Sequence, residues 1–84
     1  MSAMKAAEIE CRETMEALLL EDLDNDLSED VLGRNLHVAL KNVQHYRDLV
    51  VTSRDLANQK WFAVEAEWRE NRAIETIFEM QHPC

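Results

Sequence analysis

Turn-forming residues are almost missing from this sequence: one glycine, Gly33, and one proline, Pro83, serve all 84 residues. Tight hairpins need such residues, so a sheet of short strands is disfavoured, and the abundant Ala, Leu, Glu, Arg and Gln favour helix. Cysteine is as scarce. Cys11 and Cys84 form neither a metal-ligand spacing nor a disulfide framework, which fits a reducing compartment and leads to the expectation of a cytoplasmic protein. Long apolar runs are absent too. No stretch approaches the roughly 18 residues that a membrane span needs, and the first residues lack a basic region followed by an apolar one.

The same scarcities weigh against catalysis. A single glycine cannot build a phosphate-cradling loop, and Ser2, Ser28 and Ser53 have no neighbouring base held by a third group. Cys11 lies among acids, which raise a thiol pKa rather than activate it. The expectation is a non-enzyme with no cofactor and no metal site.

What is present is acid, and it is unevenly placed. The formal charge is −8. Between Met1 and Val31 stand Glu8, Glu10, Glu13, Glu16, Glu21, Asp22, Asp24, Asp26, Glu29 and Asp30 against Lys5 and Arg12 alone, whereas acids and bases balance from Leu32 onward. An acidic chain repels phosphate backbones and anionic lipid, so direct nucleic-acid or membrane binding is disfavoured and a protein with a basic surface is the expected partner.

Apolar residues at Met4, Ala7, Cys11, Met15, Leu18 and Leu19 follow one helical face, predicting a short acidic helix over 3–21. An acidic turn over 22–27 follows, with Ser28 as N-cap of the next helix and Glu29 and Asp30 in its first turn. From there Leu32, Leu36, Ala39, Val43, Tyr46 and Val50 make a heptad seam. The β-branched run Val50-Val51-Thr52 and Ser53 weaken the helix around 51–54, and Ser53 is a candidate cap. The apolar column nevertheless continues through Ala57, Trp61, Val64 and Trp68 after one stutter. One long, kinked helical region over 29–80 is therefore expected, with a tail over 81–84. At 1.5 Å per residue it would span roughly 78 Å, too long for the first helix to cover. The fold expectation is all-α: a helical hairpin with a long second arm, assembled as a dimer or small oligomer. A compact three-helix bundle broken near Ser53 is the alternative. Either way the chain is a single domain, with a core made marginal by its small size.

Candidate sites follow from these patterns. Asp22, Asp24, Asp26, Ser28 and Asp30 alternate like ligands of a helix-flanked calcium loop, but Leu27 stands where that loop needs Gly and Gly33 where it needs a bidentate Glu. Glu8, Glu13, Glu16, Asp22, Asp24 and Asp26 form an acidic face suited to a basic groove on a partner. Leu36, Val43, Tyr46, Val50, Trp61, Val64, Trp68, Ile77 and Phe78 are the self-association or hot-spot set, with Arg69 and Arg72 supplying the composition that hot spots favour. Arg47, Arg54, Trp61 and Trp68 make a basic and aromatic column only on an unbroken helix, and interleaved glutamates cancel its field. His37 and His45 lie too far apart for one metal ion on one helix, and His82 with Cys84 lacks a second ligand pair. The functional expectation is a small, acidic, non-catalytic protein-binding module, an inhibitor or adaptor comparable in size, charge and class alone to those of phages and mobile elements. A self-associating structural or regulatory oligomer and a metal-responsive helical switch are the alternatives.

Overall fold

The computed structural model describes residues 3–21 and 31–82. The acidic turn over 22–27, the cap at Ser28 and the calcium-like loop lie outside the described residues, as does Cys84. Three helices account for nearly all of the rest: α1 (Ala3–Leu19), α2 (Val31–Thr52) and α3 (Leu56–Gln81). No described helix is long and apolar enough to cross a membrane.

α1 ends two residues earlier than the periodicity predicts. Leu20 N–H donates to the Ala17 carbonyl at 3.2 Å and Glu21 N–H to that of Leu18 at 3.1 Å, a tightened last turn of the kind that closes helices.

Of the two all-α folds expected, the three-helix bundle broken near Ser53 fits the structure better than the long arm: the chain breaks at Ser53, Arg54 and Asp55, and α3 folds back along α2. The physical reason is visible at the break. Thr52 Oγ1 donates to the Asp48 carbonyl at 2.9 Å, occupying the end of α2. Asp55 is extended at φ −95° and ψ 123°, and its carboxylate accepts from the Ala57 N–H at 3.0 Å, making it the N-cap of α3. Gln59 Nε2 reaches back to the Ser53 carbonyl at 2.6 Å, so a side chain satisfies a backbone acceptor that the break exposes. Ser53 is not the cap; its hydroxyl donates to the Asp55 carbonyl at 3.3 Å. Three residues thus make a turn without glycine or proline.

Folding back brings the α2 seam onto α3. Leu36, Leu40 and Val43 from α2 share a buried cluster with Ala73, Ile74 and Ile77 from α3 and with Cys11 and Met15 from α1. Ala66 and Ala73, seven residues apart, are also buried on α3, and such small side chains let helix backbones approach closely. α1 leans chiefly on α3 and much less on α2. The Cys11 thiol donates to Gln81 Oε1 at 3.6 Å and Arg12 pairs with Glu70, so α1 descends from the C-terminal end of α3 toward its middle. Burial and the neighbouring Glu10 push the Cys11 thiol pKa up, the inert state of a core cysteine.

If Asp55 terminates one helix and starts the next, Asp55→Ala should destabilise the protein by about 1 kcal/mol, the usual loss of an N-cap, in urea unfolding followed by circular dichroism. A helix running unbroken through this point would gain from the same substitution.

Candidate functional site

The helix α3 has two apolar faces. With about 3.6 residues per turn, Trp61, Val64 and Trp68 form one stripe about half a turn away from Ala66, Ala73 and Ile77, which face the core. The inner face is buried, whereas Trp61, Val64 and Trp68 are 56%, 64% and 53% exposed. Ala57, also exposed, extends the stripe by one turn toward the break. Because α1 covers only the far part of α3, nothing in the chain covers this stripe among the described residues.

Beside it an open groove of about 400 Å³ runs between α2 and α3, walled by Asn35, Val38, Ala39 and Asn42 on one side and Trp68, Arg69, Arg72, Glu75, Thr76 and Glu79 on the other. Trp68 belongs to both features. The Arg69 guanidinium carbon lies 4.8 Å from the Trp68 ring centre and 5.3 Å from that of Tyr46, and Arg72 lies 5.7 Å from Trp68. Two cations thus lie against the indole, each contact worth about 0.5–1 kcal/mol at an exposed site. Arg69 Nε is shielded from solvent and makes no hydrogen bond.

Comparison with known protein families, curated proteins and solved structures finds no match for this chain. Its chemistry must be read from its own residues.

The hot-spot set divides in two. Leu36, Val43 and Ile77 lie in the chain's own core, and Tyr46 and Val50 are half-buried. Tyr46 packs toward Phe62, with ring centres 6.5 Å apart. Trp61, Val64, Trp68 and Phe78 stay exposed, Phe78 apart from the stripe and stacked on His82 at 4.5 Å. The α2 half of the expected seam is thus covered by α3, and in the α3 half Ile77 joins the core while Trp61, Val64, Trp68 and Phe78 face outward.

The acidic face also divides. Glu8, Glu10 and Glu13 are exposed on α1, while Asp22, Asp24 and Asp26 fall outside the described residues. Glu16 is engaged: Arg47 grips both its oxygens, one at 3.2 Å through Nη1 and the other through Nη2. Arg47 Nε also donates to Glu70 Oε1 at 3.0 Å, and Arg12 Nη1 approaches Glu70 Oε2 at 3.3 Å. Four charges from three helices therefore meet at one point. Sequence reasoning missed this node; the signal was Arg47, which the broken helix removes from the Trp61 and Trp68 column and turns toward α1. The basic and aromatic column for nucleic acid is dispersed by the same break. His37 is half-buried and His45 exposed, edge-on to Tyr46 at 5.4 Å. No cluster of three metal-ligating side chains occurs among the described residues.

The hydrogen bonds from Arg47, ahead of the charges of Arg47 and Arg12, hold the Glu16 carboxyl below its usual pKa range, against the opposing effect of burial. The folded protein therefore binds fewer protons here than the unfolded chain. The contribution is complete above the ordinary glutamate range and is lost as pH falls through the lowered folded value. Glu16→Gln should thus lower the urea midpoint at neutral pH, and its difference from the wild type should vanish in acid. A gap that persists below the carboxylate range would show that the ionised pair is not its source. Glu70→Ala should cost more, about 1–2 kcal/mol at neutral pH, because Glu70 is only 16% exposed and accepts from two arginines.

Proposed function

We propose that this chain is a non-catalytic protein-binding module of the cytoplasm that acts as an inhibitor or adaptor of another protein, and that it docks through the outer face of α3. One observation carries this reading: the two largest side chains of the molecule stand more than half exposed on a face opposite the core, in a domain too small to forgo apolar burial. A half-exposed tryptophan presents about 100 Å², so the stripe amounts to about 300 Å² with Val64, the size at which exposed patches on small proteins begin to mark interaction sites. Tryptophan flanked by arginine is the pairing that dominates protein interfaces energetically. The groove beside Trp68 adds a concave edge, and its walls carry both charge signs, suited to a segment of mixed polarity.

The exposed glutamates of α1 supply a second, acidic flank that steers association with a basic protein surface and keeps nucleic acid away. A second reading, a structural or regulatory oligomer whose helices chiefly bind one another, draws on the same α3 stripe. The metal-responsive switch rests on residues 22–30, outside the described part of the chain.

The test is capture from a lysate of the cells that make the protein, with the wild type beside Trp61→Ala/Trp68→Ala and Glu8→Lys/Glu13→Lys. Both pairs are surface residues, so circular dichroism should find all three chains equally helical. The tryptophan pair should reduce recovery of the captured protein by about thirtyfold, as loss of a hot spot does. The glutamate pair should weaken capture at low salt and less at high salt. Recovery indifferent to the tryptophans would remove α3 as the docking face.

A further inference from the structure

On the outer face of α3, and resting on the reading of its stripe as a docking surface, we infer that a second copy of this chain occupies it when no other protein does, packed in parallel with its α3 against the first. The stripe has the spacing of a helix pair: Trp61 and Trp68 take position a of a heptad, and Ala57 and Val64 take position d. This assignment fixes the residues that flank the seam. Lys60 and Glu67 fall at position g, and Glu65 and Arg72 at position e. All four lie along α3, with Lys60, Glu67 and Arg72 exposed and Glu65 half-buried.

In a parallel pair, each g residue meets the e residue of the following heptad on the other helix. Lys60 then meets Glu65 of the second copy, and Glu67 meets its Arg72. Both contacts join opposite charges, and two-fold symmetry repeats each. In an antiparallel pair that overlays the same seam, Ala57 on Trp68 and Trp61 on Val64, g faces g and e faces e, so Lys60 meets Glu67 twice while Glu65 meets the uncharged Asn58. The parallel pair therefore makes four opposite-charge contacts against two, and the charge pattern favours that orientation. The buried residues of α3 against which α1 and α2 pack lie about half a turn from the stripe, and α2 borders it only at Trp68 and Arg72, across the groove. The seam is short, running from Ala57 to Trp68 before the polar Asn71 takes position d. Two stripes of about 300 Å² bury about 600 Å² between them, short of the roughly 1,000 Å² that a stable specific contact needs, so the dimer is a weak, reversible one.

Sedimentation equilibrium of the full chain tests this directly. The wild type should show a concentration-dependent monomer–dimer equilibrium, and Trp61→Ala/Trp68→Ala should be monomeric. Lys60→Glu alone and Glu65→Lys alone should each dimerise about fivefold more weakly, since each places like charges opposite one another twice. An equimolar mixture of these two variants should regain wild-type affinity, because a mixed pair restores both contacts. Ala57→Cys on a Cys84→Ser background should oxidise to a covalent dimer, which only a parallel pair allows. A dimer that survives loss of both tryptophans, fails to recover in the mixture, or leaves the Ala57→Cys chain uncrosslinked would overturn the inference. A chain that stays monomeric overturns it too. If that monomer still captures another protein through its tryptophans, the docking reading stands with a different occupant; if capture also ignores the tryptophans, both readings fall.

Discussion

The contact on which the rest of the molecule depends is the one between the α2 seam and the small-residue face of α3. Leu36, Leu40 and Val43 supply bulk from one side, while Ala66 and Ala73 on the other let the helices lie close. That choice has a consequence for α3. With Ala66, Ala73, Ile74 and Ile77 inside, its two indoles are left for the outside, and Trp61 and Trp68 occupy the far face. A chain of this size gains little stability from its core, so its largest hydrophobic side chains contribute fully only when another surface covers them. The same inner packing supports α3 from Ala66 to Ile77 and holds part of the outer stripe in register, a preorganisation that lowers the entropic cost of binding.

The third helix is placed by charge as much as by apolar contact. Cys11 and Met15 fill the core, but the inclination of α1 is set where Arg12 and Glu16 meet Arg47 and Glu70. Partly exposed pairs of this kind contribute little stability one at a time. Their geometry is nonetheless selective, because Arg47 must reach a carboxylate on each of two neighbouring helices. The node also edits the acidic face: Glu16 is neutralised by Arg47, and the outward charge of α1 is carried by Glu8, Glu10 and Glu13.

Helical class, the α1 face and the heptad columns were legible because each rests on local spacing. The Trp61, Val64 and Trp68 column was visible in that spacing, and the structure places it on one face of α3. The break at residues 53–55 was legible only as a weakness. No glycine or proline marks it, and its closure depends on Asp55 and Gln59 side chains reaching specific backbone groups. What decides between a kink and a turn is the long-range burial of Leu40 and Val43 against α3, a contact that no local window contains. The misplacement of Arg47 has the same origin: a column drawn through the break assigns to one face residues that belong to two different helices.

Charge distribution bears on how such a molecule can associate at all. Two acidic chains repel, and an interface that brought their α1 helices together would oppose itself. α2 and α3 together are neutral, and although α3 itself holds five acids against three bases, its stripe is flanked by both signs, Lys60 and Arg72 beside Glu65 and Glu67. In a pair joined there, each α1 lies across its own α3 from the seam, and the glutamates point away from the contact. Raising ionic strength then acts in two directions: it screens the repulsion between the acidic flanks, and it screens the Lys60 and Glu65 attraction across the seam. In such a pair the flanks would lie farther apart than the seam charges, and charges beyond a Debye length are largely screened at physiological salt. Salt should therefore weaken the orientation preference more than it relieves the repulsion, leaving the tryptophans to hold a pair whose direction is less well defined.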